Sequence, residues 1–168
     1  MVSYSTQNRF RLFLLTLLMA GFLFGCSKDS DDGGNVTPSG VAGNYKIAAL
    51  RVNPALNGIS DLLPFINALT GSTCMSDITL SFKANGTLTA DDPASCRNVD
   101  PEETTGIENN SKWTLSGNKL TITDADGSKT EYDVTIKGQN MDLSWKEEDT
   151  DANGKPITYT YTMEMRRV

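Results

Sequence analysis

Residues 41–168 predict an all-β fold, an eight-stranded antiparallel up-and-down barrel. Three observations carry that expectation. Apolar side chains alternate at period two, turn dipeptides punctuate the runs, and most connections are short. Strands with one oily face and one polar face are those of antiparallel sheets wet on one side. Closing a meander of such strands removes its exposed edges; an open sandwich is the alternative architecture.

The first strand falls near residues 45–52, with Tyr45, Ile47 and Ala49 on the inward face. A helix follows. In Ser60-Asp61-Leu62-Leu63-Pro64-Phe65-Ile66-Asn67-Ala68-Leu69, a Ser/Asp cap precedes apolar residues at helical spacing, with Pro64 in the first turn, where its missing N–H costs nothing. The helix should end near Thr70-Gly71, and its Leu62, Phe65, Ile66 and Leu69 either plug one barrel mouth or rest on the outer wall. Asn85-Gly86 then separates a strand over residues 77–83, with Ile78, Leu80 and Phe82 inward, from one over residues 87–90. The remaining inward rows are Trp113 and Leu115; Leu120 and Ile122; Tyr132, Val134 and Ile136; Met141, Leu143 and Trp145; and Ile157, Tyr159, Tyr161, Met163 and Met165. Gly117-Asn118, Asp126-Gly127, Gly138-Gln139-Asn140 and Asn153-Gly154 supply the turn residues between them.

The first 25 residues have a different character. A polar stretch ending in Arg9 and Arg11 leads into the 13 apolar residues 12–24 and then Gly25-Cys26. A basic flank, an apolar core and a small residue describe a secretory signal peptide. The core is short of the ~20 residues that a membrane-spanning helix needs. Leu23-Phe24-Gly25-Cys26 resembles the lipobox of bacterial lipoproteins, with Phe24 bulkier than usual at its position. That resemblance implies cleavage before Cys26 and lipid (a palmitate-type acyl group) on it. Two or more acyl chains, at ~0.8 kcal/mol per buried CH₂, hold a membrane durably where one does not. Residues 27–40, rich in Gly, Ser and Asp, read with Cys26 as a lipidated tether before the domain. The patch beginning at Lys28-Asp29 resembles the export tag that sends some lipoproteins to the surface of the outer membrane; a plain solvated linker is the other reading. The expected location is the cell envelope, with the membrane as partner through the N-terminal lipid.

Charge and composition exclude several activities. Removing Arg9 and Arg11 from 15 basic residues leaves 13 against 21 acidic ones, a net −8, which argues against nucleic acid as a partner. The chain has no histidine, so the commonest general base and metal ligand is missing. Asp149-Thr150-Asp151-Ala152-Asn153-Gly154 matches the opening of a calcium loop, but Thr160 stands at the twelfth position and the flanks are strands, so it reads as a turn. Asp124-Ala125-Asp126-Gly127 reads the same way. The carboxylate pairs Asp91-Asp92, Glu102-Glu103 and Glu147-Glu148 read as solvated. No catalytic residue, metal or cofactor is expected.

Nearly everything from residue 41 onward resembles the lipocalin-like domains of bacterial lipoproteins, members of the calycin barrels. The resemblance rests on Gly43-Asn44-Tyr45, on the hairpin Leu80-Ser81-Phe82-Lys83-Ala84-Asn85-Gly86-Thr87, on Trp113-Thr114-Leu115-Ser116-Gly117-Asn118-Lys119-Leu120-Thr121-Ile122, and on the Thr- and Tyr-rich last strand. It implies that an arginine of the last strand crosses the aromatic ring of the first at the closed end. Tyr45 stands where lipocalins usually carry Trp. Period-two alternation selects Arg167 over Arg166 for the inward position, a cation–π contact worth about 0.5–2 kcal/mol. In an oxidising compartment, with Cys26 lipidated, Cys74 and Cys96 should form a bridge worth about 3 kcal/mol. Phe82, Trp113, Tyr132, Trp145, Tyr159 and Tyr161 line the inside, as core in a filled barrel and as ligand-facing residues in a hollow one.

The leading functional expectation is a non-enzymatic, lipid-anchored binder of a small apolar ligand or of an envelope partner. An accessory subunit of an envelope assembly, with a filled barrel, is the first alternative. An enzyme using barrel-mouth carboxylates is the second.

Overall fold

The computed structural model describes residues 36–168, apart from residues 98, 100, 152 and 153. The stretches read as signal peptide and, up to residue 35, as tether lie outside the described residues, as does Cys26.

The chain from Val36 builds a nearly closed antiparallel barrel. In chain order the strands are β1 (Gly43–Leu56), β2 (Ile59–Asp61), β3 (Thr79–Phe82), β4 (Leu88–Ala90), β5 (Lys112–Ser116), β6 (Lys119–Thr123), β7 (Lys129–Lys137), β8 (Asn140–Thr150) and β9 (Pro156–Arg167). Their spatial order is β4-β3-β1-β9-β8-β7-β6-β5, with β2 attached to β1 alone. Eight strands therefore make the barrel, and β2 is an added hairpin arm on its first strand. The seam between β4 and β5 is stitched where the Leu88 N–H donates to the Ser111 carbonyl at 2.8 Å and the Trp113 N–H to the Gly86 carbonyl at 2.8 Å. Gly86 has φ +81°, and a Cβ there would lie 3.2 Å from the Trp113 carbonyl oxygen, so the seam closes on a residue that must be glycine.

Up-and-down order sorts the connections to two ends. The start of β1, the end of β9 and the tight turns after β3, β5 and β7 share one end, which the chain entering from Val36 also closes. Pro38–Val41 forms a helical turn, α1, capped by the Thr37 side chain, and Val41 is fully buried beneath it. Val36 and α1, part of the stretch read as tether, thus already belong to the packed domain.

The connections after β1, β4, β6 and β8 share the other end, the mouth. There the chain forms α2 (Leu62–Thr70), α3 (Cys74–Asp77), a 3₁₀ turn (Ala94–Cys96) and α4 (Pro101–Thr105), where a single helix was expected. The long loop after β4 has more to bury than its composition suggests: Cys96 and Ile107 both enter the core. Helix α2 starts and stops where its signals lie. The Asp61 carboxylate accepts the Leu63 N–H at 3.2 Å, and Gly71 ends the helix at φ +63°. Its buried face, however, differs from the expected one. Leu63 is buried, with Leu62 and Ile66 partly so, whereas Phe65 is 50 % and Leu69 75 % exposed. The same Asp61 oxygen also accepts the Leu50 N–H from β1, which joins the start of the helix to that strand.

A second correction concerns β1. Tyr45 pairs with Arg167 and Ile47 with Met165, but Ala49 faces Glu164 and Leu50 faces Met163. One extra residue is inserted at Ala48-Ala49, a β-bulge, so the inward row passes from Tyr45 and Ile47 to Leu50 and Val52, and Ala49 leaves it. Period-two reading assumes an unbroken ladder and cannot register such an insertion.

Candidate functional site

The inward aromatics fall into two groups. At the closed end, Tyr45 and Phe82 meet edge to face at 5.9 Å between ring centroids, and Phe82 and Trp113 at 6.1 Å. All three are buried, and the Trp113 indole N–H donates to the Lys83 carbonyl in the turn after β3. Leu80, Leu120, Met141, Leu143 and Met165 fill the space around them, each almost wholly buried. Phe82 and Trp113, which a hollow barrel would present to a ligand, are here part of a packed core.

Arg167 seals this end. Its guanidinium carbon is 5.2 Å from the Tyr45 ring centroid. Nη2 donates to the Tyr45 hydroxyl at 2.7 Å, to the Gly40 carbonyl at 2.8 Å and to the Ala42 carbonyl at 3.1 Å. The Tyr45 hydroxyl in turn donates to the Gly40 carbonyl at 3.0 Å. The contact is therefore hydrogen bonding as much as ring coverage. A phenol offers the cation an oxygen that an indole lacks, and the smaller ring is joined to α1 through it. Arg166 pairs with Lys46 on the opposite face. The carbonyls of Gly40 and Ala42 carry no signal in the sequence, because any residue has one.

The second group stands toward the mouth, on β7, β8 and β9. Tyr132 meets Trp145 edge to face at 5.6 Å, Trp145 stacks on Tyr161 at 5.3 Å and 16°, and Tyr159 lies 6.4 Å from Tyr161 at a tilt. Tyr132 is buried; Trp145, Tyr159 and Tyr161 are each partly open to solvent. This row continues the core directly, since Trp145 pairs with Tyr161 one step beyond the buried pair Leu143 and Met163. Next on the inward face come Glu147 opposite Tyr159 and Asp149 opposite Ile157. The Trp145 indole N–H donates to a Glu147 carboxylate oxygen at 2.8 Å. Burial, followed by the charge of Glu147, pushes the Tyr161 phenol above its ordinary range, and burial with the charge of Asp124 does the same to Tyr132. Glu147 was read from sequence only as half of a solvated carboxylate pair. Its bond to Trp145 follows from their i, i+2 positions on one strand face.

At the same end of the barrel, packed against β1, lies a cap. Cys74 and Cys96 are bridged, with Cα atoms 4.7 Å apart, which ties the start of α3 to the loop after β4. Beside the bridge a cleft of about 320 Å³ is lined by Ile66, Asn67, Thr70, Ser72, Cys74, Met75 and Val99. A smaller one of about 220 Å³ lies over the seam, lined by Ala90, Asp91, Asp92, Pro101, Glu102, Ile107 and Asn109. The first is built from the cap alone, so it is a surface cleft and not the barrel interior. In the turn after β8, the Asp151 carboxylate accepts the Lys155 N–H at 2.9 Å, which uses it as a turn residue. Among the described residues no group of three or more acidic or cysteine side chains is arranged to hold a metal ion.

A barrel of this topology with a sealed floor and an aromatic mouth has a counterpart in sequence. The profile of the lipocalin-like domain family matches residues 41–143. The chain belongs to this family. No curated protein matches the chain. As a lipocalin-like barrel it points to a small-ligand-binding role, in a family whose members are generally non-enzymatic binders. The match ends at Leu143, so Trp145, Tyr159, Tyr161 and Arg167 lie beyond it. Their placement comes from the structure of the lipocalin-like domain itself.

Proposed function

We propose that the protein is a non-enzymatic binder of a small, largely apolar ligand, anchored to the cell envelope by lipid on Cys26. The observation that supports ligand binding is the half-open aromatic row Trp145–Tyr161–Tyr159, which stands directly above a filled core. Large apolar rings left partly in water at the mouth gain from being covered by a ligand. Because Phe82 and Trp113 already fill the lower barrel, the ligand sits shallowly and is small. On this reading the tether meets the barrel at its closed end, where Val36 and α1 pack, and the mouth opens at the opposite end. The ligand is then taken up on the side away from the anchor.

Titration with the neutral dye N-phenyl-1-naphthylamine tests the binding site. Dye fluorescence should rise on addition of the protein, and Trp145→Ala with Tyr161→Ala should remove the rise; an unchanged rise in that variant rejects the site. Mass analysis of membrane-extracted protein tests the anchor, with a chain beginning at acylated Cys26 as the expected result.

A second reading, an accessory subunit of an envelope assembly, is favoured by one observation: Phe65 and Leu69 project from α2 into solvent side by side. Photo-crosslinking from position 69 in intact cells, compared with position 159, separates the two readings by which one captures a protein.

A further inference from the structure

The mouth row carries charge of one sign. Inward positions of β8 and β9 beyond the core are occupied by Trp145, Glu147, Asp149, Ile157, Tyr159 and Tyr161, with no lysine or arginine among them. Lys146 pairs with Thr160 and Glu148 with Thr158, on the opposite face of the ribbon. Glu147 is held in place by the Trp145 indole N–H at 2.8 Å and sits across from Tyr159. A group resting on Tyr159 therefore has the exposed Glu147 carboxylate beside it.

Aromatic faces present the negative side of their quadrupole. Three partly open rings in a row, with two carboxylates and no lysine or arginine on the same inward positions of β8 and β9, form an environment that attracts positive charge and repels anions. An uncharged apolar ligand would gain from the rings but leave Glu147 and Asp149 facing apolar surface. A fatty acid would meet like charge. We propose that the mouth selects an organic cation, an ammonium group carried on an apolar body, with the ammonium at Tyr159 next to Glu147 and the apolar body against the stacked pair Trp145–Tyr161. This rests on the reading of the mouth as a ligand site and adds the chemical class of the ligand.

Equilibrium dialysis of the purified protein against phenyltrimethylammonium and against tert-butylbenzene, its uncharged carbon isostere, measures the preference. The cation should bind about tenfold more tightly than the isostere, the advantage expected of a cation–π and carboxylate site. Glu147→Gln keeps an acceptor for the Trp145 indole, so it should remove most of that advantage and leave the isostere's affinity within about twofold. Tyr161→Ala should weaken both probes. If the isostere binds as well as the cation, the cation preference is overturned while the mouth survives as a ligand site. If neither binds, the ligand-site reading falls with it. Cation binding untouched by both Glu147→Gln and Asp149→Asn places the charge recognition elsewhere and overturns the proposal.

Discussion

The two ends of this barrel are built from the same kinds of residue and reach opposite states. Both carry a row of aromatic rings on the inward face, and in both a polar group is hydrogen-bonded to a ring. At the floor, Arg167 joins Tyr45 to the carbonyls of Gly40 and Ala42, and the rings of Tyr45, Phe82 and Trp113 are shut away from water. At the mouth, Glu147 holds Trp145, yet Trp145, Tyr161 and Tyr159 stay partly open. The difference lies in what covers each end. Tight turns and α1 close the floor from all sides. At the mouth, β8 and β9 run on past their neighbours: β7 stops pairing with β8 at Ser144, and β1 stops pairing with β9 at Thr160. Trp145 and Tyr159 therefore lie on strand segments that have lost one neighbouring strand, and Tyr161 lies at the edge of the part that keeps it. Packing thus separates a structural aromatic from one free to meet a ligand, and residue type does not.

The largest effect expected from that contrast comes from truncating one ring at each end. Phe82→Ala should cost about 3–5 kcal/mol of unfolding free energy, the usual range for a buried Phe, whereas Tyr159→Ala should cost less than about 1 kcal/mol and act on ligand affinity instead. Urea unfolding of both variants measures this. Equal losses would mean the mouth is as much core as the floor.

The cap comes next. Replacing both cysteines, Cys74→Ser with Cys96→Ser, should lower stability by about 3 kcal/mol, because the bridge spans a separation of 22 residues and closes a long loop in the unfolded chain. Hydrogen exchange would locate the loss. Protection should fall first in α2 and α3 and last around Tyr45, since the bridge staples the mouth and not the floor.

Arg167 probes the floor from outside. Arg167→Ala removes a cation that serves three oxygens and should cost about 1–3 kcal/mol, with Arg167→Lys in between, because an ammonium cannot reproduce the fork of a guanidinium. Thermal melts of the pair distinguish a charge effect from a geometric one. If Lys restores the wild-type melting temperature, charge alone seals the floor.

The smallest effect lies on the outer wall. Asp142 and Glu164 face one another across β8 and β9, and burial, with Glu164 nearby, raises the Asp142 pKa above its ordinary value while Lys137 opposes the rise. A carboxylate whose folded pKa is raised destabilises the fold when ionised. Its relative stability is full below the unfolded value near 3.8 and is lost as pH climbs through the folded one. Asp142→Asn should therefore match the wild type in acid and melt slightly higher at neutral pH. A lower melt at neutral pH would show that the bond to Lys137 outweighs burial.

Much of this was legible in the residues. Alternation and turn dipeptides located the strands because period two is a property of the backbone pleat and needs no partner to be seen. Asp61 and Gly71 marked the ends of α2 because caps act within a few residues of themselves. The bridge followed from a count of cysteines, on the expectation of an oxidising compartment. The features that escaped depend on a neighbouring strand or segment. The bulge at Ala48-Ala49 exists only as a mismatch with Glu164 on β9. The buried face of α2 depends on what the helix packs against, so Leu63 is buried while Phe65 and Leu69 are exposed despite their helical spacing. Above all, the sequence placed Phe82, Trp113, Tyr132, Trp145, Tyr159 and Tyr161 on one inward face without ranking them. Local pattern fixes which way a side chain points, but what it meets there is decided by strands distant in sequence. In this protein those strands bury Phe82, Trp113 and Tyr132 and leave Trp145, Tyr159 and Tyr161 partly open.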